Sequence, residues 1–381
     1  MIIGDVAWEF WPNIVGGLGT YQWEVYKRIA KTNEVHAIAI FREGDEKEKE
    51  IVDGINVYRI KIKPELFKVY KLFMQYNWFI EGGYFDFNLQ SIEILNSIKN
   101  LDIIHTHDWL SMWSGYVATQ HLKKPWIVNI HSLELGRNPF PNNWIVEIEK
   151  LGMNANKVIA VSNDIKNQLI NIGYPQEKIE VIYNGIDSEK YDPSKIDRQK
   201  AREKFGFCDE KIILFIGRPV REKGINVLID AFKEAKKEIK NLKLVLLSRG
   251  YIENLIKGVD GVLQINRFVT EQERLEIIAL SDVFVVPSLY EPFGIVTLEG
   301  MAMKKPVIGS RTGGIKEVIE DGKSGLLFEP GNVKELAEKI KFVLKNEDEA
   351  EKLKEGGRKR AEKFSWDETV RKTLDVYKKF I

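Results

Sequence analysis

Apolar positions in this chain come in short runs separated by helical spacing. Val35 to Phe41, Asp102 to His105, Trp126 to His131, Val158 to Ser162 and Ile179 to Tyr183 each end in a polar or glycine-containing loop. Such runs read as strands. The chain opens directly on a strand at Met1 to Val6. The pattern pauses at Asn184-Gly185-Ile186-Asp187, a turn, and the polar stretch from Ser188 to about Arg202 reads as a hinge. A second series follows at Lys211 to Ile216, Leu242 to Leu247, Val262 to Ile265, Val283 to Val286, Pro306 to Ile308 and Gly325 to Phe328. Two successive β/α alternations predict an α/β protein with two doubly wound, Rossmann-like domains facing a central cleft. Ser365-Trp366-Asp367-Glu368 has the spacing of a capping box and opens a last amphipathic helix through Tyr377. The expected divisions are 1–188, 189–365 and a terminal helix in 366–381.

Length and charge narrow the class. At 381 residues the chain exceeds a usual single core and suits two domains. A net charge of +1 with 30% charged residues describes a surface laced with ion pairs, with no global pull toward nucleic acid or membrane. One cysteine, Cys208, excludes an intramolecular disulfide framework and fits a reducing compartment. With no basic leader and no apolar run long enough to span a bilayer, a cytoplasmic location is expected. Abundant Lys and Glu with few Cys, Met and His are also what a thermophilic protein shows.

The chemistry concentrates where strands give way to loops. Pro287-Ser-Leu-Tyr-Glu291-Pro-Phe293-Gly294-Ile295-Val-Thr-Leu-Glu299 passes from a strand through a turn into a helix. Free amides at a helix start attract phosphate, and two carboxylates flanking that start can accept from neutral hydroxyls. A nucleotide sugar offers both. The bland alternative makes Glu291 a turn residue and Glu299 an ordinary exposed helix glutamate. Val15-Gly16-Gly17-Leu18-Gly19 is a glycine loop after the first strand, able to bring amides close to a phosphate or to serve only tight packing. It lacks the spacing of a dinucleotide fingerprint. His105-Thr-His107-Asp108-Trp109 could ligate zinc, although a fourth partner is wanting and His105 reads better as strand packing. Glu134 and Arg137 read as a helix-surface ion pair. Phe67, Tyr70, Phe73, Tyr76, Trp78, Phe79, Tyr84, Phe85 and Phe87 crowd one segment beside Lys61, Lys63, Lys68 and Lys71. Core packing or a dimer contact, a sugar-stacking platform and peripheral membrane contact all remain open for it.

The glutamate pair around Pro292-Phe293-Gly294, the glycine pair, His107-Asp108-Trp109, Ile130-His131-Ser132 and Gly217-Arg218 with Lys223-Gly224 together resemble the retaining glycosyltransferases of family 4 and the related glycogen and starch synthases. The resemblance spans essentially the whole chain and implies the GT-B fold. It implies that Glu291 contacts the transferred sugar, Glu299 the ribose, and Arg218 and Lys223 the donor phosphates. It further implies that His131 bonds the sugar and that Asp108 meets sugar or acceptor. Gly16, Gly17, Phe293, Gly294, Ile295, Gly313 and Gly314 would then line the donor. No cofactor and no metal are implied, with ADP-glucose or UDP-glucose as the favoured donor. Glu9-Phe-x-Pro12 with Ile-His-Ser looks like an archaeal-type glycogen synthase extending an α-1,4-glucan. A lipid-linked or small acceptor, a non-catalytic nucleotide-sugar-binding protein and an epimerase are the alternatives. Two departures stand out. Ile14 takes the place where synthases carry a phosphate-binding lysine, and Ser248-Arg249-Gly250 with Asn266-Arg267-Phe268 alters the expected base pocket.

Overall fold

The computed structural model describes residues 1–42, 45, 47–62 and 78–381. It divides into two compact units, residues Met1–Tyr183 with Trp366–Ile381, and residues Asn184–Ser365. The first division therefore falls a few residues before the expected position 188, ahead of Asn184-Gly185. The terminal helix Trp366–Tyr377 belongs to the first unit.

The first unit is built on an eight-stranded sheet. Its strands are β1 (Ile2–Val6), β2 (Glu34–Ile40), β3 (Lys49–Val52), β4 (Ile55–Ile60), β5 (Ile103–His107), β6 (Trp126–Ile130), β7 (Lys157–Ala160) and β8 (Ile179–Val181). They lie in the order β3-β4-β2-β1-β5-β6-β7-β8, parallel except for the antiparallel β3-β4 pair. That pair is a hairpin absent from the sequence reading. It turns at Asp53-Gly54, both at positive φ (48° and 82°), the conformation a two-residue hairpin turn requires.

The second unit holds β9 (Lys211–Ile216), β10 (Leu242–Leu247), β11 (Val262–Ile265), β12 (Val283–Val286), β13 (Val307–Ser310) and β14 (Leu326–Phe328). Their order is β11-β10-β9-β12-β13-β14, all parallel. Residues 212–216 and 283–286 are entirely buried, which is why these strands show as unbroken apolar runs. Helices seat apolar faces on the sheet; Leu228, Ile229 and Phe232 of Ile225–Lys236 and Leu336, Ile340 and Val343 of Val333–Lys345 fill one core with Phe215 and Leu246.

Among the parallel strands each order reverses once, between β1 and β5 in the first sheet and between β9 and β12 in the second. Loops leaving the carboxyl ends of strands diverge at such a reversal and open a crevice there. No described helix is long and apolar enough to cross a membrane.

Of the aromatic segment, Phe67, Tyr70, Phe73 and Tyr76 lie outside the described residues. Its far end packs inward. Tyr84 and Phe87 are fully buried, and Tyr84 stacks on Trp109 with ring centroids 5.5 Å apart.

Candidate active site

In the first unit the reversal carries a ladder of buried polar side chains. Asp5 of β1 pairs in register with His105 of β5, and His107 with Asn129 of β6. Because side chains alternate along a strand, Asp5, His105, His107, Asn129 and His131 share one face of the sheet. Asp5, His105, His107 and Asn129 are fully buried, so each must find partners within the protein. Asp5 Oδ1 lies 2.8 Å from His107 Nε2, and Asp5 Oδ2 accepts from Gln22 Nε2 at 2.6 Å. His107 Nδ1 lies 3.0 Å from His131 Nε2, which Asn129 Nδ2 also approaches at 2.9 Å. His105 turns the other way. Its Nδ1 meets the hydroxyls of Tyr26 at 2.7 Å and Tyr377 at 2.5 Å, so the terminal helix closes over this face.

Burial sets the protonation of the cluster. It pushes the Asp5 carboxyl up to about 7, outweighing the attraction of His105. It brings His107 down to about 3 and holds His105 and His131 well below the usual imidazole value. Asp5, His105 and His107 offer three ligand-type atoms within 4.8 Å of one another. Both nitrogens of His107 are nevertheless engaged, so the cluster is read as a hydrogen-bond network. Asp108 stands apart from it. At φ 53° it begins the helix Asp108–Leu122 and accepts from the amides of His131 at 2.6 Å and Ser132 at 3.2 Å. Burial raises its carboxyl to about 6 against those amides and Arg137.

The glycine loop is occupied internally. Val15 and Gly16 amides donate to Glu9 Oε2 at 2.9 and 3.1 Å. Of this loop's two glycines expected to line the donor, Gly16 thus already has its amide on a carboxylate. Gly17 opens the helix Gly17–Ile29 behind them.

The second unit places ion pairs at its reversal. Lys223, from the loop after β9, donates to Glu291 at 2.7 Å, and Ser288 Oγ to the same carboxylate oxygen at 3.2 Å. Glu222 O accepts from the amides of Leu289 and Tyr290 at 2.7 and 3.2 Å, binding the two loops together. The approach is close enough to demand glycine. A Cβ on Gly224 would stand 1.9 Å from Pro287 O, and one on Gly313 would stand 2.0 Å from Glu291 O; both residues also have positive φ. Gly314 N donates to Glu291 O at 2.9 Å, so the 313–314 loop clamps the turn that bears Glu291. Gly294, left-handed at φ 89°, turns the chain into the helix Ile295–Ala302. Phe293 is buried against Phe364 with ring centroids 6.1 Å apart. Glu299, inside that helix, accepts from Arg274 Nε at 3.1 Å and from its terminal nitrogen at 2.5 Å.

Two family models cover these units. Glycosyltransferase Family 4 matches residues 15–190, and Glycosyl transferases group 1 matches residues 197–360. An uncharacterised glycosyltransferase of Methanocaldococcus jannaschii is 32% identical over 396 residues, covering 99% of this chain and 98% of that protein. The chain belongs to glycosyltransferase family 4. An α-maltose-1-phosphate synthase of Mycobacterium tuberculosis is 31% identical over 317 residues, covering 74% of this chain and 80% of that enzyme. The crystal structure of Anabaena HepE in complex with UDP-glucose superposes with a TM-score of 0.81 at 19% identity over all of both chains. The fold is GT-B, shared with such transferases.

For a family 4 transferase the expected residues fall into place unevenly. Lys223, Glu291, Phe293, Gly294, Ile295, Gly313 and Gly314 assemble around one turn. Arg218 does not join them; its side chain is 55% exposed and 3.9 Å from Glu222. His131 joins His107, whereas Asp108 is spent on the His131 loop through one carboxylate oxygen. The expected Glu134–Arg137 pair is not formed among the described residues. Glu134 is buried and accepts from Asn142 N at 3.1 Å, while Arg137 donates to Ser132 Oγ. Asp5, Gln22 and Arg274 are absent from the sequence reading, as is the contact of Glu9 with the glycine-loop amides. A carboxylate inside the otherwise apolar strand β1 was the available signal for Asp5.

Proposed function

We propose that the chain transfers a hexosyl group, glucose first among candidates, from a nucleoside diphosphate sugar to a sugar hydroxyl with retention at the anomeric carbon. The observation that carries this reading is the Lys223–Glu291 pair at the second-sheet reversal, set against the start of the helix Ile295–Ala302. An ammonium beside helix amides suits a leaving diphosphate, whose charge grows as the glycosidic bond breaks. Lys223 and Arg218, which is held only loosely by Glu222, take the phosphates, a role that needs no divalent ion. Glu299, oriented by Arg274, accepts from the ribose, and Glu291 accepts from hydroxyls of the hexose. His131 faces the transferred sugar. With no carboxylate nucleophile assigned, the acceptor hydroxyl attacks on the face the phosphate leaves, and a phosphate oxygen takes its proton. The UDP-glucose held by HepE supports this donor class.

For the acceptor, the sequence motifs favour extension of an α-1,4-glucan. A small phosphorylated acceptor is a second reading, favoured by the relative named α-maltose-1-phosphate synthase. The test is incubation with ADP-, UDP- and GDP-glucose against maltooligosaccharide, hexose phosphates and lipid vesicles, each with and without EDTA. The anomeric configuration of the product is read by NMR. An α-linked product formed in EDTA is expected. A β-linked product, or activity abolished by EDTA and restored by Mn²⁺, would overturn the mechanism, and the productive acceptor decides between the readings.

A further inference from the structure

We propose that Asp5 and His107 are positioning residues that decide which nitrogen of His131 carries its proton. The consequence for catalysis rests on the reading of His131 as the group facing the sugar; the proton ordering itself rests on the hydrogen-bond geometry and on burial. Asp5 Oδ1, His107 Nε2, His107 Nδ1 and His131 Nε2 form an unbroken chain with contacts of 2.8 and 3.0 Å. Among the described residues no group bonds His131 Nδ1. Two arrangements of uncharged imidazoles satisfy the chain. In the first, Asp5 is a carboxylate and accepts from His107 Nε2–H. His107 Nδ1 then accepts from His131 Nε2–H, leaving His131 Nδ1 a bare acceptor. In the second, Asp5 is protonated and donates to His107 Nε2, and His107 Nδ1–H donates to His131 Nε2. The proton of His131 then sits on Nδ1, which becomes a donor.

The arrangements differ by one proton, and the chain can move it. A proton bound at His131 Nδ1 releases the Nε2 proton to His107 Nδ1, and His107 passes its Nε2 proton to Asp5. No imidazolium persists, because the charge ends as a neutral carboxyl. The Asn129 amide matches the second arrangement as it stands, since its Nδ2–H donates to the same His131 Nε2. Burial favours it too, by raising Asp5 and lowering the histidines. The groups facing Asp5 are Gln22, Tyr26 and Tyr21 from the helix Gly17–Ile29, His105 and His107 from β5, and Tyr377 from the terminal helix.

Histidine ¹⁵N NMR on the full chain without substrate tests the relay, with His36 and His121 as internal references. The His131 proton should move from Nδ1 to Nε2 as pH rises through neutrality. Asp5→Asn should pin it on Nδ1 from about pH 5.5 to about 9, because a carboxamide can accept from Gln22 and donate permanently to His107. His107→Gln interrupts the chain without touching Asp5, so His131 should cease to follow Asp5. In turnover, Asp5→Asn should flatten the pH profile of kcat and leave the donor KM within about twofold, whereas His107→Gln should lower kcat by about tenfold or more. The same His131 titration in wild type and both variants would overturn the relay. A relay present by NMR, with a kcat profile that Asp5→Asn does not move, would instead overturn the placement of His131 at the sugar.

Discussion

The polar groups at the two sheet reversals obey opposite electrostatic rules. In the first unit Asp5, His105 and His107 have no exposure at all, and burial drives every one of them toward its neutral form. In the second unit the side chains of Lys223 and Arg274 stay 22% and 27% exposed and meet the buried carboxylates of Glu291 and Glu299 as ion pairs at 2.7 and 2.5 Å. A neutral network costs little desolvation and offers direction, since hydrogen bonds order it without a net field. Partly solvated ion pairs offer charge that can be redirected to a ligand, because water shares the loss when a pair opens. Under the proposed function, expelling a diphosphate from an uncharged sugar calls for charge at the phosphates and direction at the sugar.

The largest expected effect lies on the charged side. Under the proposed function Lys223→Ala removes a donor to the leaving phosphates, worth roughly 2 to 4 kcal/mol in the transition state, or about 30-fold to 1,000-fold in rate. It also strands Glu291 without its partner. Arg218→Ala should fall in the same range although Arg218 holds no tight partner in the free protein, because the role proposed for it begins when donor binds. Turnover numbers for both variants, with circular dichroism to confirm folding, check this. Activity within about threefold of wild type in both would remove the phosphate clamp and, with it, the contrast between the units.

The neutral side predicts a stability effect of opposite character. Burial raises Asp5 from its ordinary 3.8 to about 7, so the folded state binds the proton more tightly than the unfolded chain does. The contribution is fully present below pH 3.8 and is lost as pH rises through about 7, at about 1.4 kcal/mol per unit. Asp5→Asn has no proton to lose. Relative to wild type it should gain roughly 2 to 4 kcal/mol between pH 4 and pH 8, read from urea unfolding at each pH. The buried histidines slope the other way below about pH 6.5 in both proteins, so they cancel in the difference. A difference that stays constant with pH would mean that Asp5 is charged in the fold throughout, and the first unit would then resemble the second.

How much of this was legible beforehand follows the same division. The strands β9 and β12 were read to their final residues because burial on both faces leaves an uninterrupted apolar run. The β3–β4 hairpin was not, although Asp53-Gly54 is a strong turn signal, because Lys49, Glu50 and Arg59 break the apolar pattern on either side of it. Glu291, Lys223 and the glycines could be placed because turn chemistry is local. Arg274 could not, since a helix arginine chooses Glu299 across 25 positions for reasons of packing alone. Glu9 escaped notice as the occupant of the glycine-loop amides. The role of Asp5 depends on the register of β1 against β5 and on helices that cover that face, and no local pattern records either.

The smallest expected effect separates the two glutamates of the charged side. Glu299 is already neutralised by Arg274 through two nitrogens, so Glu299→Gln weakens an acceptor that serves bound donor and transition state alike. Its signature should be a donor KM raised by about 3- to 10-fold with kcat nearly unchanged. Glu291 instead shares its oxygen with Lys223 and Ser288 and sits before the helix, where the proposed function puts the reacting sugar. Glu291→Gln should depress kcat by about 10-fold and leave the donor KM within about twofold, because orientation and charge at the reacting sugar matter most in the transition state. Steady-state kinetics with varied donor measure both. Matching profiles for the two variants would show that the helix start does not distinguish ribose from hexose, and the ion pairs of the second unit would then have to be read as scaffolding like the buried network of the first.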